Sequence, residues 1–279
     1  MTETTLICMT TANQVEYTRK ALQSIANARI AVPYELLVID DASDDGTPDV
    51  CREMGVSVIQ KSDAMGLTDS WNRAYRAFVD GKYKALIIAN NDILVPCGAI
   101  EELVAALESF ALVGPLSSRN GVSHQPAQIL MQNYPCSIDD EDPDNVQMVQ
   151  DYIQKQIRSS ECVELPYING FFFAMSRQII KFELPDGNLF QSDNVNTNNE
   201  EDLCRRMPQG KAVCLHAFIF HFKGKSFEYH RNRAGELVFS RNLTWKDAIK
   251  IRHDKPFLHL AWAVYSWYRR ASKWLRGRK

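Results

Sequence analysis

Short apolar runs alternate with amphipathic stretches through the first ninety residues, and this rhythm constrains the fold more than any other feature of the chain. The runs at residues 6–9, 35–39, 56–59 and 85–89 have strand length, and the stretches at 15–28, 48–54 and 67–79 are helix-like. A βαβαβαβ order predicts an α/β architecture: a mostly parallel central sheet flanked by helices on both faces. In such sheets the ligand lies beyond the carboxyl ends of the strands. The residues that directly follow each run are therefore the first candidates for a site.

Three runs end in polar clusters: Thr10-Thr11-Ala12-Asn13, Asp40-Asp41-Ala42-Ser43-Asp44-Asp45-Gly46-Thr47, and Asn90-Asn91-Asp92. All three should line one crevice. Ser43 and Asp44 could cap the next helix and Gly46 could serve the turn, which leaves Asp40 and Asp41 able to accept hydrogen bonds from a base or ribose. Beyond a helix near 100–110 and a strand near 112–113 the periodicity weakens over 117–160. The acidic stretch 139–144 within it is expected to be a solvated surface loop rather than a lid over the acceptor. Residues 165–176, LPYINGFFFAMS, read as an aromatic strand with Asn169 and Gly170 before it.

A chain of 279 residues, 45% hydrophobic and 24% charged, can bury one large α/β core and is not a disordered polymer. Its net charge of −2 conceals an asymmetry. Residues 241–279 hold eleven Lys or Arg against Asp247 and Asp254, a balance of +9, so residues 1–240 carry −11. An acidic body is a poor partner for nucleic acid. The basic tail also carries Leu258, Trp262, Tyr265, Trp267, Tyr268 and Trp274, which suits peripheral contact at a membrane interface, the alternative being a helix packed on protein through its Trp face. Seven scattered cysteines without a CxxC pair point to reduced thiols and a cytoplasmic setting. No signal-like N-terminus and no stretch of 18 uncharged apolar residues is expected to direct the chain across or into a membrane.

Taken in order, CMTTAN, VIDDASDDGT, ALIIANND, NEEDLCRR and HFKGKS resemble the motif series of family 2 glycosyltransferases over residues 5–226. That resemblance implies a GT-A-type nucleotide-diphospho-sugar transferase fold and an inverting transfer to a hydroxyl acceptor. It implies a catalytic domain over 1–240, with a nucleotide-binding half to about 115 and an acceptor-side half after it, followed by the extension at 241–279. In the family the fourth strand ends in a DxD-like motif whose last Asp binds a divalent metal, and Asp92 is the matching carboxylate. Asn90 stands where the first Asp is usual.

The resemblance further assigns the donor to Thr10, Thr11, Asp40, Asp41, Asn90 and Asn91, with Gly66 and Asn72 matching the family's glycine and asparagine near the third helix. A helix start at Gly66 would turn backbone N–H groups toward phosphate oxygens. Asp41 facing a base edge would accept the N3–H of uracil or thymine, favouring a UDP- or dTDP-linked sugar. NEEDLCRR resembles the EDxDLxxR motif, which puts the acidic cluster Glu200, Glu201 and Asp202 at the chemistry, with Glu200 at the base position and Glu201 an equal alternative. An acidic cluster at a helix N-terminus is also what the helix dipole favours. His221 begins the HxxGxS-like segment and could complete the metal site with Asp92 as Mn²⁺ or Mg²⁺ ligands. Asn169 and Gly170 fall on the acceptor side. The implied acceptor is a glycan or a lipid-linked hydroxyl, in polysaccharide or glycan synthesis. A sugar-nucleotide-binding module without catalysis is the alternative, and a nucleotidyltransferase ranks last because TTAN lacks a Gly-rich, basic phosphate loop.

Overall fold

The computed structural model describes residues 2–118, 125, 127–131, 133–157, 161–194 and 199–222. The extension at 241–279 and the KGKS part of the last motif lie outside the described residues. In chain order the elements are β1 (Thr5–Thr11), α1 (Val15–Asn27), β2 (Tyr34–Asp40), α2 (Thr47–Glu53), β3 (Ser57–Gln60), α3 (Leu67–Asp80) and β4 (Ala85–Asn90). There follow β5 (Ile93–Leu94), α4 (Ala99–Ala106), β6 (Leu112–Ser117), α5 (Pro143–Gln156), β7 (Cys162–Glu164), β8 (Phe172–Ser176), α6 (Asn199–Arg206) and β9 (Lys211–His221).

The strands form a sheet in the order β3-β2-β1-β4-β8-β6-β9-β5, with β7 also paired to β9. From β3 to β4 every pairing is parallel. Beyond β4 the sheet is mixed: β8 runs antiparallel to both β4 and β6, β6 is parallel to β9, and β5 and β7 are antiparallel to β9. The parallel half is the one that the βαβ rhythm could show, because only crossover helices impose that spacing.

Side chains alternate between two apolar layers, as strand pleating requires. Leu6 and Cys8 of β1, Leu86 and Ile88 of β4, and Phe173 and Met175 of β8 join one layer with Trp71, Tyr75 and Phe78 of α3. Ile7, Met9, Ile87, Phe172 and Ala174 join the other with Leu22 and Ile25 of α1 and Leu103 of α4. Trp71, Tyr75 and Phe78 fall at i, i+4 and i+7, one face of a helix, which is why α3 lies flat on the sheet.

The acidic stretch is a largely exposed turn and loop over residues 139–142, as expected, but Pro143 and Asp144 open α5, a helix not expected within 117–160. Asp142 caps the helix, its side chain accepting from the backbone N–H groups of Asp144 and Asn145, with Pro143 in the first turn. The buried face of α5 includes Asn145 and Gln150 beside Val146, Val149 and Ile153, so its apolar period is interrupted by polar residues. Gln150 is buried because it completes a bulge in β9. The β6–β9 register jumps from Pro115–Cys214 to Leu116–Phe218, and Gln150 donates to the carbonyl of His216 at 2.7 Å and accepts from Phe218 N at 2.7 Å. The aromatic strand expected after Asn169 and Gly170 is β8, which begins at Phe172. Among the described residues no helix is long and apolar enough to cross a membrane.

Candidate active site

The loops after β1 and β2 are built against each other. Asn13 and Gln14 have φ values of 58° and 67°, and Ala42 has 58°, left-handed geometry that costs a non-glycine residue on the order of 1 kcal/mol. Hydrogen bonds hold it in place. Asp40 accepts from Ser43 N at 3.0 Å and from the Ser43 hydroxyl, Ser43 Oγ accepts from Asn13 N at 2.7 Å, and Asn13 Oδ1 accepts from Asp44 N at 2.9 Å. Asp45 accepts from Val15 N at the start of α1 and from Thr47 N at the start of α2. Asp40 thus shapes its own loop, and the capping role expected of Ser43 and Asp44 falls instead to Asp45.

Asp41, 2% exposed, points the other way. Its Oδ1 accepts from Met65 N at 2.8 Å and lies 2.5 Å from Lys61 Nζ, while its Oδ2 accepts from Gly66 N at 2.9 Å. The expectation that the Gly66 amide faces a phosphate is therefore corrected: that N–H is bound to Asp41. Gly66 is required for its φ of 91° instead. A carboxylate offers about four lone-pair sites, so one site, on Oδ2, is left for a ligand. Lys61 is 5% exposed and bridges Asp41 to Asp69 at 3.0 Å, and Asp69 in turn binds Arg73 Nε at 2.7 Å. Burial disfavours the charge on Asp69, but Arg73 and Lys61 outweigh it and hold the carboxyl below its ordinary range. Lys61 was not singled out from the sequence. Its position directly after β3 marked it, under the same strand-end rule applied to the other runs.

At the end of β4 the three polar residues separate. Asn90 N donates to the carbonyl of Phe171 at 2.8 Å, and its side chain makes no hydrogen bond among the described residues. Asn91 is fully buried and donates through Nδ2 to Thr11 Oγ1 and Thr18 Oγ1, both at 2.9 Å, and to Asn13 O at 3.2 Å. Asn91 and Thr11, expected at the donor, thus also clamp the end of β4 to the start of α1, while Asn91 Oδ1 stays unpaired among the described residues. Thr10 is buried with its hydroxyl 3.5 Å from Ala89 O.

Asp92 is fully buried, and the antiparallel pairing of Ile93 with His221 sets it beside that histidine. Asp92 Oδ1 stands 3.3 Å from His221 Nε2. The Phe171 ring stacks on the imidazole at 4.7 Å between centroids, and Ser118 Oγ fixes the His221 backbone. Both ring nitrogens of His221 are buried, and neither forms a hydrogen bond among the described residues. Such a buried imidazole calls for a ligand, and a carboxylate with an imidazole suits Mn²⁺ or Mg²⁺. Among the described residues no three His, Cys, Asp or Glu converge, so this pair alone could supply only part of a coordination shell. His216, a weaker candidate, is instead packed between Glu102 and the carbonyl of Ile157.

The third group lies where α6 meets the segment before β8. Glu200 Oε1 accepts from the Tyr167 hydroxyl at 2.7 Å and from Gly170 N at 3.4 Å. Asn169 supports the same turn: its Oδ1 accepts from Phe171 N at 3.1 Å, its own N–H donates to Gln125 Oε1 at 2.8 Å, and its Nδ2 stands 3.4 Å from the Tyr167 oxygen. Gly170 is needed for space, since a Cβ there would stand 2.3 Å from Trp71 Cη2. Burial, the charge of Glu200 and the bond to it push the Tyr167 phenol far above its usual value. Glu201 is half-buried one residue along α6.

Two more expected site residues make structural contacts. Asn72 exchanges both of its amide hydrogen bonds with the backbone of Phe190, at 2.8 and 2.9 Å, and so pins that segment to α3. Asp202 is paired with Arg205 at 2.5 Å and Arg206 at 3.0 Å. Burial opposes its charge, yet the two guanidinium groups hold its carboxyl below the ordinary range. Of the residues missed from the sequence, Trp71 shares the apolar face of α3 and Tyr167 lies in the segment at 165–176, but the partners that bring them and Gln125 to the site are remote in the chain.

A profile of Glycosyl transferase family 2 matches residues 6–184. No curated protein matches the chain in sequence. Among solved structures it is similar to the mannosyltransferase PcManGT from Pyrobaculum calidifontis, in complex with GDP-Man and Mn²⁺, with 14% identity, a TM-score of 0.50 and coverage of 80% of this chain and 58% of that one. It is also similar to GalNAc-T7 with UDP, GalNAc and Mn²⁺, with 15% identity, a TM-score of 0.53 and coverage of 78% and 43%. The chain thus spans little more than half the length of the first and less than half of the second. At these identities the likeness is one of fold.

Proposed function

The chain belongs to glycosyl transferase family 2, and on that premise we propose that it transfers a sugar from a nucleoside-diphosphate donor to a hydroxyl acceptor with inversion. One observation carries the reading: the segment Asn169-Gly170-Phe171 touches both halves of the chemistry. The Gly170 amide faces Glu200, the Phe171 ring stacks on His221, and the Phe171 carbonyl binds the end of β4. A single rigid turn therefore sets the distance between a carboxylate and a metal-competent pair, as a direct displacement requires.

Asp92 and His221 would hold a divalent ion, whose chemistry is to neutralise the departing diphosphate as a Lewis acid; both similar structures contain Mn²⁺. Among the described residues this pair alone would hold the ion, with the donor's diphosphate as the group it neutralises. Glu200 accepts the acceptor's proton through Oε2, which makes no hydrogen bond among the described residues. Such positioned bases contribute about 10²- to 10⁴-fold. Asn90 and the remaining site on Asp41 Oδ2 face the donor's ribose and base, with Thr10 beside them; an N3–H donor there favours uracil or thymine. The acceptor is a glycan or lipid-linked hydroxyl, and the basic aromatic extension at 241–279 brings the enzyme to a membrane surface.

Thermal shift with UDP, dTDP and GDP and their sugars, each with and without Mn²⁺, tests the donor site, because ligand bound only by the folded state raises apparent stability. A Mn²⁺-dependent shift lost in Asp92→Asn and His221→Ala is expected. Glu200→Gln should keep that shift and lose transfer. Retained transfer would move the base to Glu201, and binding without turnover in the wild type would leave a binding module.

A further inference from the structure

Glu200 is held by one strong bond, and the donor of that bond has no role in the reading above. We propose that Tyr167 is a positioning residue for Glu200, occupying Oε1 so that Oε2 is the oxygen presented to the acceptor. The proposal rests on Glu200 being the base. The geometry is that of a charge-assisted bond, 2.7 Å from phenol to carboxylate. The Tyr167 hydroxyl is kept protonated by burial and by Glu200 itself, so it acts as a donor and does not compete for the acceptor's proton. The Asn169 amide, 3.4 Å from the phenol oxygen, orients the ring's polar end in turn.

No other group around Glu200 makes as short a bond to it among the described residues. Gly170 N is longer at 3.4 Å. Cys204 and Glu201 share α6 with it; the Cys204 thiol is pushed up to about 11 by burial and its sulfur accepts from Ile168 N at 3.4 Å, and Glu201 adds only like charge. From α3 the nearby group is the indole of Trp71, whose Nε1–H is buried and makes no hydrogen bond among the described residues. Without Tyr167, Glu200 keeps one weak donor and can rotate its carboxylate.

The test uses the full chain labelled with [δ-¹³C]glutamate, with the Glu200 resonance assigned by its loss in Glu200→Gln. In Tyr167→Phe the pH midpoint of that resonance should move up by about half a unit or more, because the carboxylate loses its donor. With 3-fluorotyrosine at position 167, a more acidic phenol of nearly the same size, the midpoint should move down; this replacement also serves if the Phe variant does not fold. Unchanged midpoints overturn the proposal. Transfer by Glu200→Gln would overturn it as well, by removing the base, whereas unchanged midpoints with an inactive Glu200→Gln remove Tyr167 alone.

Discussion

Replacing Gly170 by Ala should damage stability and turnover together, and the structure sets the size of both effects. The added methyl would stand 2.3 Å from Trp71 Cη2, 3.0 Å from its Cζ2 and 3.2 Å from Glu200 Cδ, against an ordinary carbon contact of about 3.5–4.0 Å. Trp71 cannot withdraw: it is 1% exposed and packs edge-on against Phe173 and Phe190 at 5.2 and 5.0 Å. Overpacking a closed site costs about 1–3 kcal/mol, and the immobile indole argues for the upper end. In a domain of this size that lowers the melting temperature by roughly 5–10 °C. The same methyl displaces Glu200, and misplacing a reacting group by about 1 Å costs on the order of 10²-fold in rate. Melting followed by circular dichroism and kcat for transfer read the two effects. Trp71→Phe removes the two indole atoms nearest the methyl, so the double variant should lose less than the sum of the single losses. Additive losses, or a Gly170→Ala protein that melts and turns over like the wild type, would refute the packing argument.

Lys61→Met should lower the urea-unfolding free energy by about 3 kcal/mol or more, since it leaves Asp41 buried without its cation; adding Asp41→Asn should restore part of the loss. The carboxyls of Asp69 and Asp202 are held below their ordinary range by paired cations, so their stabilisation is present above the unfolded value of about 3.9 and disappears as pH falls through the folded value. Acid unfolding below about pH 4 should therefore begin at higher pH in Arg206→Met than in the wild type. Cys162 faces Cys214 across β7 and β9 between the bonds Glu161–Leu215 and Leu165–Lys211, a spacing that a disulfide can bridge. Cys162 is half-buried, whereas Cys214 is buried and donates to the carbonyl of Glu102 at 3.9 Å; oxidised glutathione should close this disulfide with release of two glutathione thiols, and Cys162→Ser should abolish the resulting loss of about 2 Da.

The parallel half of the sheet was legible because its signal is local: each strand is one apolar run and each crossover one amphipathic helix. The mixed half was not, because β8 joins the sheet through Phe172–Ser176 between β4 and β6, an insertion that depends on partners some 60 to 90 residues away. Helix α5 was obscured by Asn145 and Gln150, which interrupt its apolar period to bind the carbonyls of Ser137 and Asp140 and the bulge of β9. Within the site the polar residues were visible as clusters, but their division of labour was not. Asn91 and Asn90 are neighbours of one residue type, and only the pleat of β4, which turns Asn91 toward Thr11 and Thr18, separates a clamp from a candidate ligand.

That division can be argued from unused hydrogen-bonding capacity. Asp40, Asn72 and Asp202 direct their polar atoms to backbone, a hydroxyl or cations, and Asn91 its Nδ2 to two threonine hydroxyls, and these bonds brace the walls. Buried Asn91 Oδ1, Asn199 Nδ2 and Trp71 Nε1 lack a partner among the described residues, and capacity is also left on a further set: the second lone pair of Asp41 Oδ2, the amide of Asn90, the nitrogens of His221 beside Asp92, and Oε2 of Glu200. These groups stand at the ends of β2, β4 and β9 and at the start of α6, the carboxyl side on which an α/β sheet offers a ligand site. The first two can meet a base or ribose, the third a metal-bound diphosphate, and the last a hydroxyl proton. A donor laid along that series would have its anomeric carbon between His221 and Glu200, the interval set by Asn169-Gly170-Phe171. Small changes in that turn should therefore alter turnover more than donor affinity, since they move the base relative to the bond that breaks while leaving the base and ribose contacts in place.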